Sequence, residues 1–272
     1  MDVAGFTRYG REGNASMMVY TVTARNPAAE SENKIHDDTV ARRYGFRGGL
    51  VPGVVLFGYL AHPVARVWGR RWLAGGRIDT RFVAPVYDGE QVTATVADDG
   101  AVTLAGPSGQ TCVTGRAARD DDQQNSGPDV PAAPLPERRP PASAASLVPG
   151  TVLGSVERRY DAETAAAYLD QLGDGLQVFR AEGLAHPGWL LSSANEILVA
   201  NVALGPWIHT ESRVRFLQPV RVGQAVQTRA RVAGLADRRG HRFVELDVAV
   251  YADGRTALTA RHVAIYEPRP AG

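Results

Sequence analysis

Apolar and polar residues alternate from Met17 to Arg25 in a run rich in Val, Thr and Tyr, which predicts a half-buried strand. The same period of two returns at Ile78–Val83, Glu90–Ala97, Val102–Ala105 and Thr111–Ala117. Between the first strand and this group the pattern changes. Asp38–Tyr44 predicts a short helix with Asp37 or Asp38 as its N-cap. Gly53–Trp68 carries apolar residues around most of a helical wheel, which predicts a buried helix. The second stretch of chain follows suit. Val152–Tyr160 reads as a strand, Ala162–Leu172 as a helix and Gly188–Leu204 as a long apolar helix. Strands follow at Thr210–Phe216, Gln224–Ala233, His241–Tyr251 and Thr256–Tyr266. One long helix followed by antiparallel strands gives an α+β layer, a sheet curling round a helix.

The two stretches also repeat in sequence. Arg81-Phe82-Val83-Ala84-Pro85-Val86, then Gly89 and Val92, matches Arg215-Phe216-Leu217-Gln218-Pro219-Val220, then Gly223 and Val226. The shared pattern is RFxxPVxxGxxV. Upstream of each copy a Gly-Leu pair precedes the helix: Gly49-Leu50 before Pro52-Gly53, and Gly183-Leu184 before His186-Pro187-Gly188. Two matches in one order argue for duplication. Between the copies lies an acidic and Pro/Ala-rich stretch that buries too little apolar surface to fold alone. The expected organisation is an N-terminal unit over 1–120, a linker over 121–146 and a C-terminal unit over 147–272. Two such units in tandem can pair their sheets within one chain.

Composition narrows the function by exclusion. With a formal charge of +1 spread over 272 residues, no strong attraction to nucleic acid or an anionic membrane is expected. The lone Cys112 precludes an intrachain disulfide or a CxxC motif and reads as a small strand residue. No charged-then-apolar leader begins the chain, and the apolar stretch Leu50–Val67 is broken by Pro52, Gly53, His62, Pro63 and Arg66. A cytoplasmic location follows. There is no phosphate-binding Gly-rich loop and no G-x-S-x-G elbow. Adjacent His36, Asp37 and Asp38 point in different directions, so no metal is expected. Lys34 is the only lysine, and it sits in the polar run Glu32-Asn33-Lys34-Ile35-His36-Asp37-Asp38.

That run, from Ala29 to Asp38, resembles the motif S-G-D-x-N-P-x-H-x-D of the MaoC-like (R)-specific enoyl-thioester hydratases and dehydratases. Ala41, Gly45-Phe46 and the helix opening Val51-Pro52-Gly53 follow at suitable distances. Asn33, His36 and Asp38 agree with the pattern. Ser31 stands where the family has its catalytic Asp, Lys34 where it has Pro, and Pro52 where it has the His before the helix glycine. In the second unit His186-Pro187-Gly188 resembles that helix opening with one Pro inserted. The resemblance implies a tandem (double) hotdog, two antiparallel sheets each wrapped round a long central helix. It implies a hydro-lyase-like activity on a thioester of CoA or an acyl carrier protein, without a cofactor, and with one active site built mainly from the first unit. A homodimer of double hotdogs is compatible with it.

The resemblance assigns His36 as general acid and base, helped by Glu32 or Asp38, since a hydroxyl at Ser31 cannot replace a carboxylate base. Ser31, Asn33 and Lys34 would contact substrate or its carrier, and the N–H groups of Gly53 and Val54 would hold a developing oxyanion. Trp207 and His209 would line the acyl pocket from the second unit. Plainer readings stand beside these. His36, Asp37 and Asp38 also fit helix caps, Pro52-Gly53 a turn, Trp207 a sheet-edge packing residue, and Lys34 a solvated charge. Asn195 and Asn201 either line the cavity or bond nearby loops. His62, His241 and His262 read as structural or exposed. Two other functions share the fold: a thioesterase or biosynthetic tailoring enzyme, and a non-catalytic acyl-binding or partner subunit.

Overall fold

In a computed structural model, residues 7–12, 15–119 and 129–271 are described. The strands are β1 (Thr7–Glu12), β2 (Ala15–Thr23), β3 (Gly76–Phe82), β4 (Gln91–Ala97), β5 (Ala101–Ala105), β6 (Thr111–Arg119), β7 (Val152–Tyr160), β8 (Ile208–Phe216), β9 (Gln224–Arg238), β10 (His241–Ala252) and β11 (Arg255–Glu267). The helices are α1 (Asp38–Arg43), α2 (Gly53–Gly75), α3 (Ala162–Leu172), α4 (Gln177–Arg180) and α5 (Pro187–Asn201), with a 3-10 turn over Lys34–His36.

Each unit forms the same antiparallel arrangement, β2-β4-β5-β6-β3 and, in mirrored order, β8-β11-β10-β9-β7. The strands β3 and β8 pair, so the two sheets become one eleven-stranded sheet with β1 added beyond β2. The protein is a double hotdog. At the seam Asp79 faces Arg213 and Arg81 faces Glu211. Asp79 and Arg213 occupy equivalent places in the two repeats, so the internal two-fold axis passes between them.

The repeated motif has a structural job. Val86 and Val220 are fully buried, and their carbonyls accept from Val51 N and Ala185 N, the backbone just before each long helix. Leu50 bridges to Tyr87 and Leu184 to Arg221. Gly89 N donates to Ala24 O, as Gly223 N does to Tyr160 O. Each copy of RFxxPVxxGxxV therefore pins a helix entrance to its own sheet.

Every residue of α2 from Val54 to Ala65 is buried, as a helix apolar on all sides requires. The helix breaks at Gly69 (φ 56°, ψ −146°), one residue after the predicted end at Trp68, and a short helical piece continues to Gly75. α5 ends at Asn201 rather than Leu204. The Asn201 amide bonds Ile197 O, Gly154 N and Gly154 O, which ties the last turn to β7. α2 and α5 cross closely at two glycines. A Cβ on Gly188 would lie 3.1 Å from Gly58 Cα and 2.3 Å from the Tyr168 hydroxyl, so a side chain there would force the helices apart. Tyr160 packs on Trp189, and Phe216 on Trp72, all of them buried.

The described part of the linker lies along the C-terminal unit. Val130 is buried, Ser155 N donates to Ala133 O, and Ala203 N donates to Pro140 O. Among the described residues no helix is long and apolar enough to cross a membrane. Cys112 is buried in β6, as expected of a small strand residue.

Candidate functional site

Short-range polar chemistry shapes the loop that carries His36. Asn33 caps the 3-10 turn, its Oδ1 accepting from Ile35 N at 3.3 Å. Asp37 caps α1 through Val40 N at 2.9 Å. Three further contacts seat the loop over the entrance to α2. Leu50 N donates to Ile35 O at 3.1 Å, Asn26 Nδ2 donates to His36 O at 2.9 Å, and His36 Nδ1 lies 2.7 Å from Leu50 O. The approach is so tight that a Cβ on Gly49 would fall 2.1 Å from His36 O.

The imidazole has one tautomer that satisfies this network. A carbonyl accepts only, so Nδ1 carries the proton and donates to Leu50 O. Nε2 then has the lone pair, 3.2 Å from Asn33 Nδ2. Burial lowers the pKa of His36 and outweighs the opposing bond to Leu50. The surroundings favour a neutral ring near neutral pH, its Nε2 lone pair accepting from Asn33 Nδ2.

Asn33 uses all four of its hydrogen-bonding positions. Besides Ile35 N, its Oδ1 accepts from Trp207 N at 3.1 Å. Its Nδ2 donates to Trp207 O at 3.0 Å and to His36 Nε2. One side chain of the first unit thus holds the backbone of the second, and Trp207 is buried behind it.

His36 separates two cavities. The smaller, about 260 Å³, is lined by apolar Ile35, Leu50, Leu56, Phe82, Ile208 and Ile265, together with Asn33, Gly53, Trp207 and His209. The larger, about 940 Å³ and more open, shares Asn33, His36, Pro52, Asn195 and Trp207 with it. The N-terminus of α2 points into this region. Its cap is Pro52, which provides no side-chain hydrogen bond, and the N–H groups of Gly53 and Val54 have no partner among the described residues. Gly53 is also where His209 packs. A Cβ there would stand 2.6 Å from His209 Nδ1, so only glycine leaves both the ring and the helix end in place.

His209 belongs to a buried chain from the second unit. Its Nε2 lies 2.8 Å from Ser212 Oγ, which lies 3.0 Å from His262 Nδ1. Burial holds His209 well below the ordinary histidine range, with His262 adding to it, and burial lowers His262 to about 3. Among the described residues His209 Nδ1 and His262 Nε2 have no hydrogen-bond partner. His262 is therefore tied through Ser212 to a residue that lines the cavity, and His241 also lines it.

The remaining sequence candidates are placed as follows. Glu32 is exposed and lines the larger cavity, where its Oε1 pairs with Arg139 at 2.9 Å. Asp38 is exposed, accepts from Gly49 N at 2.8 Å and pairs with Arg42, so it closes the loop rather than lining either cavity. Ser31 donates to Asn33 O at 3.3 Å and lines the larger cavity. Lys34 is exposed and lines neither. Val54 lines the larger cavity. Among the described residues no carboxylate lines the smaller cavity, and Glu32 and Glu196 line the larger.

The corresponding region of the second unit is filled. His186 caps α5, its Nδ1 accepting from Gly188 N at 3.1 Å, and its Nε2 lies 3.3 Å from Asp174 Oδ2. The same carboxylate oxygen meets His62 Nδ1 at 2.9 Å, and Tyr20 stacks on His62 with centroids 3.7 Å apart. Burial alone would raise Asp174, but bonds from the two histidines outweigh it and lower its pKa. Phe179 and Tyr168 close over His186. Sequence reasoning missed this cluster because Asp174 reads as a turn residue until the fold brings it to α2.

No family model and no curated protein matches the chain. Solved structures do. A Mycobacterium tuberculosis protein described as having a double hotdog fold is similar with a TM-score of 0.64 and 16% identity, over 96% of each chain. A MaoC domain protein dehydratase from Chloroflexus aurantiacus is similar with a TM-score of 0.59 and 12% identity, over 97% of this chain and 95% of that one. A MaoC-like dehydratase is similar with a TM-score of 0.58 and 14% identity, over 92% and 98%.

Proposed function

We propose that this protein acts on an acyl thioester of CoA or an acyl carrier protein, as a hydratase or dehydratase. The observation that supports it most is one arrangement. His36, with an unprotonated Nε2, and Gly53, with an unpaired N–H, line the same apolar cavity, and Val54, whose N–H is also unpaired, lines the larger cavity that His36 shares. In this reading the thioester carbonyl lies against the end of α2. The helix dipole and the two N–H groups stabilise charge on that oxygen as the α-carbon gains or loses a proton. His36 Nε2 takes a proton from water as its oxygen adds to the β-carbon and returns one at the α-carbon. In dehydration the same ring runs the reverse. Asn33 orients the ring and gives up Nε2 to the incoming water, and Trp207 and His209 exclude solvent from the second unit's side. Glu32 is the carboxylate nearest in sequence on the shared cavity and would assist once Arg139 shifts from it. Soluble substrates and a second copy of the chain are the partners this reading expects, without a metal.

The test is loss of the enoyl absorbance when purified protein meets crotonyl-CoA and longer enoyl-CoAs. Turnover that His36→Ala abolishes supports the proposal. No turnover on any enoyl thioester, or an unaffected rate in His36→Ala, overturns it. One observation favours a thioesterase as the second reading: Ser31 replaces the motif carboxylate and no carboxylate lines the smaller cavity. Release of free thiol from saturated acyl-CoAs separates that reaction from hydration.

A further inference from the structure

The linker between the two units supplies part of the wall of the larger cavity, through Leu135 and Arg139. Its backbone is fixed on both sides of Arg139. Before it, Ser155 N donates to Ala133 O at 2.8 Å, and a Cβ on Gly154 would fall 2.5 Å from Leu135 Cα. After it, Ala203 N donates to Pro140 O at 2.8 Å and Ala142 N donates to Ala203 O at 2.9 Å. Pro140 also steers the residue before it away from helical backbone. Arg139 is therefore presented from a set position.

Its guanidinium joins three elements. Nη1 lies 2.9 Å from Glu32 Oε1 and 3.1 Å from Glu32 Oε2, on the loop that carries His36. Nη1 also donates to Val199 O at 3.0 Å, in the last turn of α5, where a helix end favours a cation. Among the described residues these are its hydrogen bonds, so Nε–H and both Nη2–H groups remain unspent. That edge of the fork matches two oxygens of one phosphate. Arg158, the other arginine of this cavity, is already held. Its Nη1 lies 2.5 Å from Glu196 Oε1, its Nη2 donates to Trp189 O at 3.1 Å, and its guanidinium lies 4.0 Å over the Trp189 ring.

The Arg139–Glu32 pair marks the outer part of the cavity. His36 and Asn195 border both cavities, whereas Val199 lies one turn of α5 further on and lines the larger alone. The side chains of Arg139 and Glu32 are 38% and 55% exposed. An ion pair this exposed contributes about 5-fold or less to an equilibrium, so an arriving anion competes with it readily. A phosphate on the free edge of Arg139 also repels the carboxylate beside it.

We propose that Arg139 is an exchange residue. It holds Glu32 at the mouth of the larger cavity while the site is empty, takes the phosphate of the carrier's pantetheine arm when substrate arrives, and so releases Glu32. This rests on the acyl-thioester reading above and gives the linker a regulatory part in it. CoA and an acyl carrier protein share that phosphate.

Calorimetric titration reads the exchange without turnover. The probes are CoA, 4′-phosphopantetheine and pantetheine, the last without phosphate. Arg139→Gln should weaken the first two about 5- to 10-fold and leave pantetheine within about 2-fold. Glu32→Gln removes the competitor and should tighten the same two about 2- to 5-fold, an effect that a merely structural pair would not give. Both side chains are exposed, so the fold tolerates either change. Turnover of an enoyl-N-acetylcysteamine thioester, which lacks phosphate, gives a second readout. There Arg139→Gln should raise kcat about 2- to 5-fold, and adding Glu32→Gln should cancel the rise. Unchanged CoA binding in Arg139→Gln overturns the exchange, as does weaker CoA binding in Glu32→Gln. An effect of Arg139 on CoA but not on 4′-phosphopantetheine assigns the arginine to the nucleotide and overturns it as well. Any of these results with intact enoyl turnover removes the exchange alone. A wild-type protein that binds no probe and turns over no thioester removes the acyl-thioester reading with it.

Discussion

Asn33→Ala isolates the contact that joins the catalytic loop to the second unit. The side chain is 8% exposed and serves four partners: Ile35 N, Trp207 N, Trp207 O and His36 Nε2. Truncation leaves the Trp207 N–H and C=O unpaired, and Trp207 is 4% exposed. An unpaired buried backbone group costs about 1–3 kcal/mol, and the adjoining cavities let water recover part of that. The expected loss is about 2–4 kcal/mol, a shift in urea midpoint with an unchanged m-value. Asn33→Asp keeps both acceptors but loses both donors, and sets a carboxylate against Trp207 O. It should be destabilised by a similar amount, while the added negative charge raises the His36 pKa. Faster amide exchange at Trp207 should accompany both. A loss below about 0.5 kcal/mol for Asn33→Ala, the scale of a neutral surface change, would refute the reasoning.

Three further outcomes follow from the same geometry. Gly53→Ala places a Cβ 2.6 Å from His209 Nδ1, so thermal unfolding should show a cost of about 1–3 kcal/mol and turnover should fall as the helix end shifts. Asp174→Ala strands His62 and His186 and should cost about 3 kcal/mol in urea, yet leave turnover per folded molecule unchanged, because none of the three residues lines either cavity. His36, His186, His209 and His262 all have lowered pKa values in the fold. The unfolded chain therefore takes up protons first as pH falls below about 6.5, and stability is present above that and lost as pH falls towards the folded values. Each histidine steepens the loss by roughly 1 kcal/mol per pH unit within its window. Urea midpoints between pH 7 and 5 check this, and a flat profile would contradict it.

The elements were legible wherever one period dominated. Strand alternation located β2 to β11, and the all-round apolar pattern located α2 and α5. The repeated RFxxPVxxGxxV exposed the internal two-fold because each copy performs the same local task, anchoring a helix entrance. Contacts between units left no local trace. The bond from Asn33 to Trp207, the packing of His209 on Gly53 and the Arg158–Glu196 pair all join residues whose neighbours in sequence say nothing of one another. Of the two asparagines on α5, one bonds a loop (Asn201) and one faces the cavities (Asn195), a choice that depends on where β7 and the linker lie. β1 was not anticipated either. Its sequence, Thr7–Glu12, shows no apolar alternation.

The most direct measurement is a crystal structure with a bound, unreactive acyl thioester. The account predicts its carbonyl oxygen within about 3 Å of Gly53 N or Val54 N, and its β-carbon facing His36 Nε2. A thioester seated elsewhere, with the end of α2 and the imidazole untouched, would contradict it.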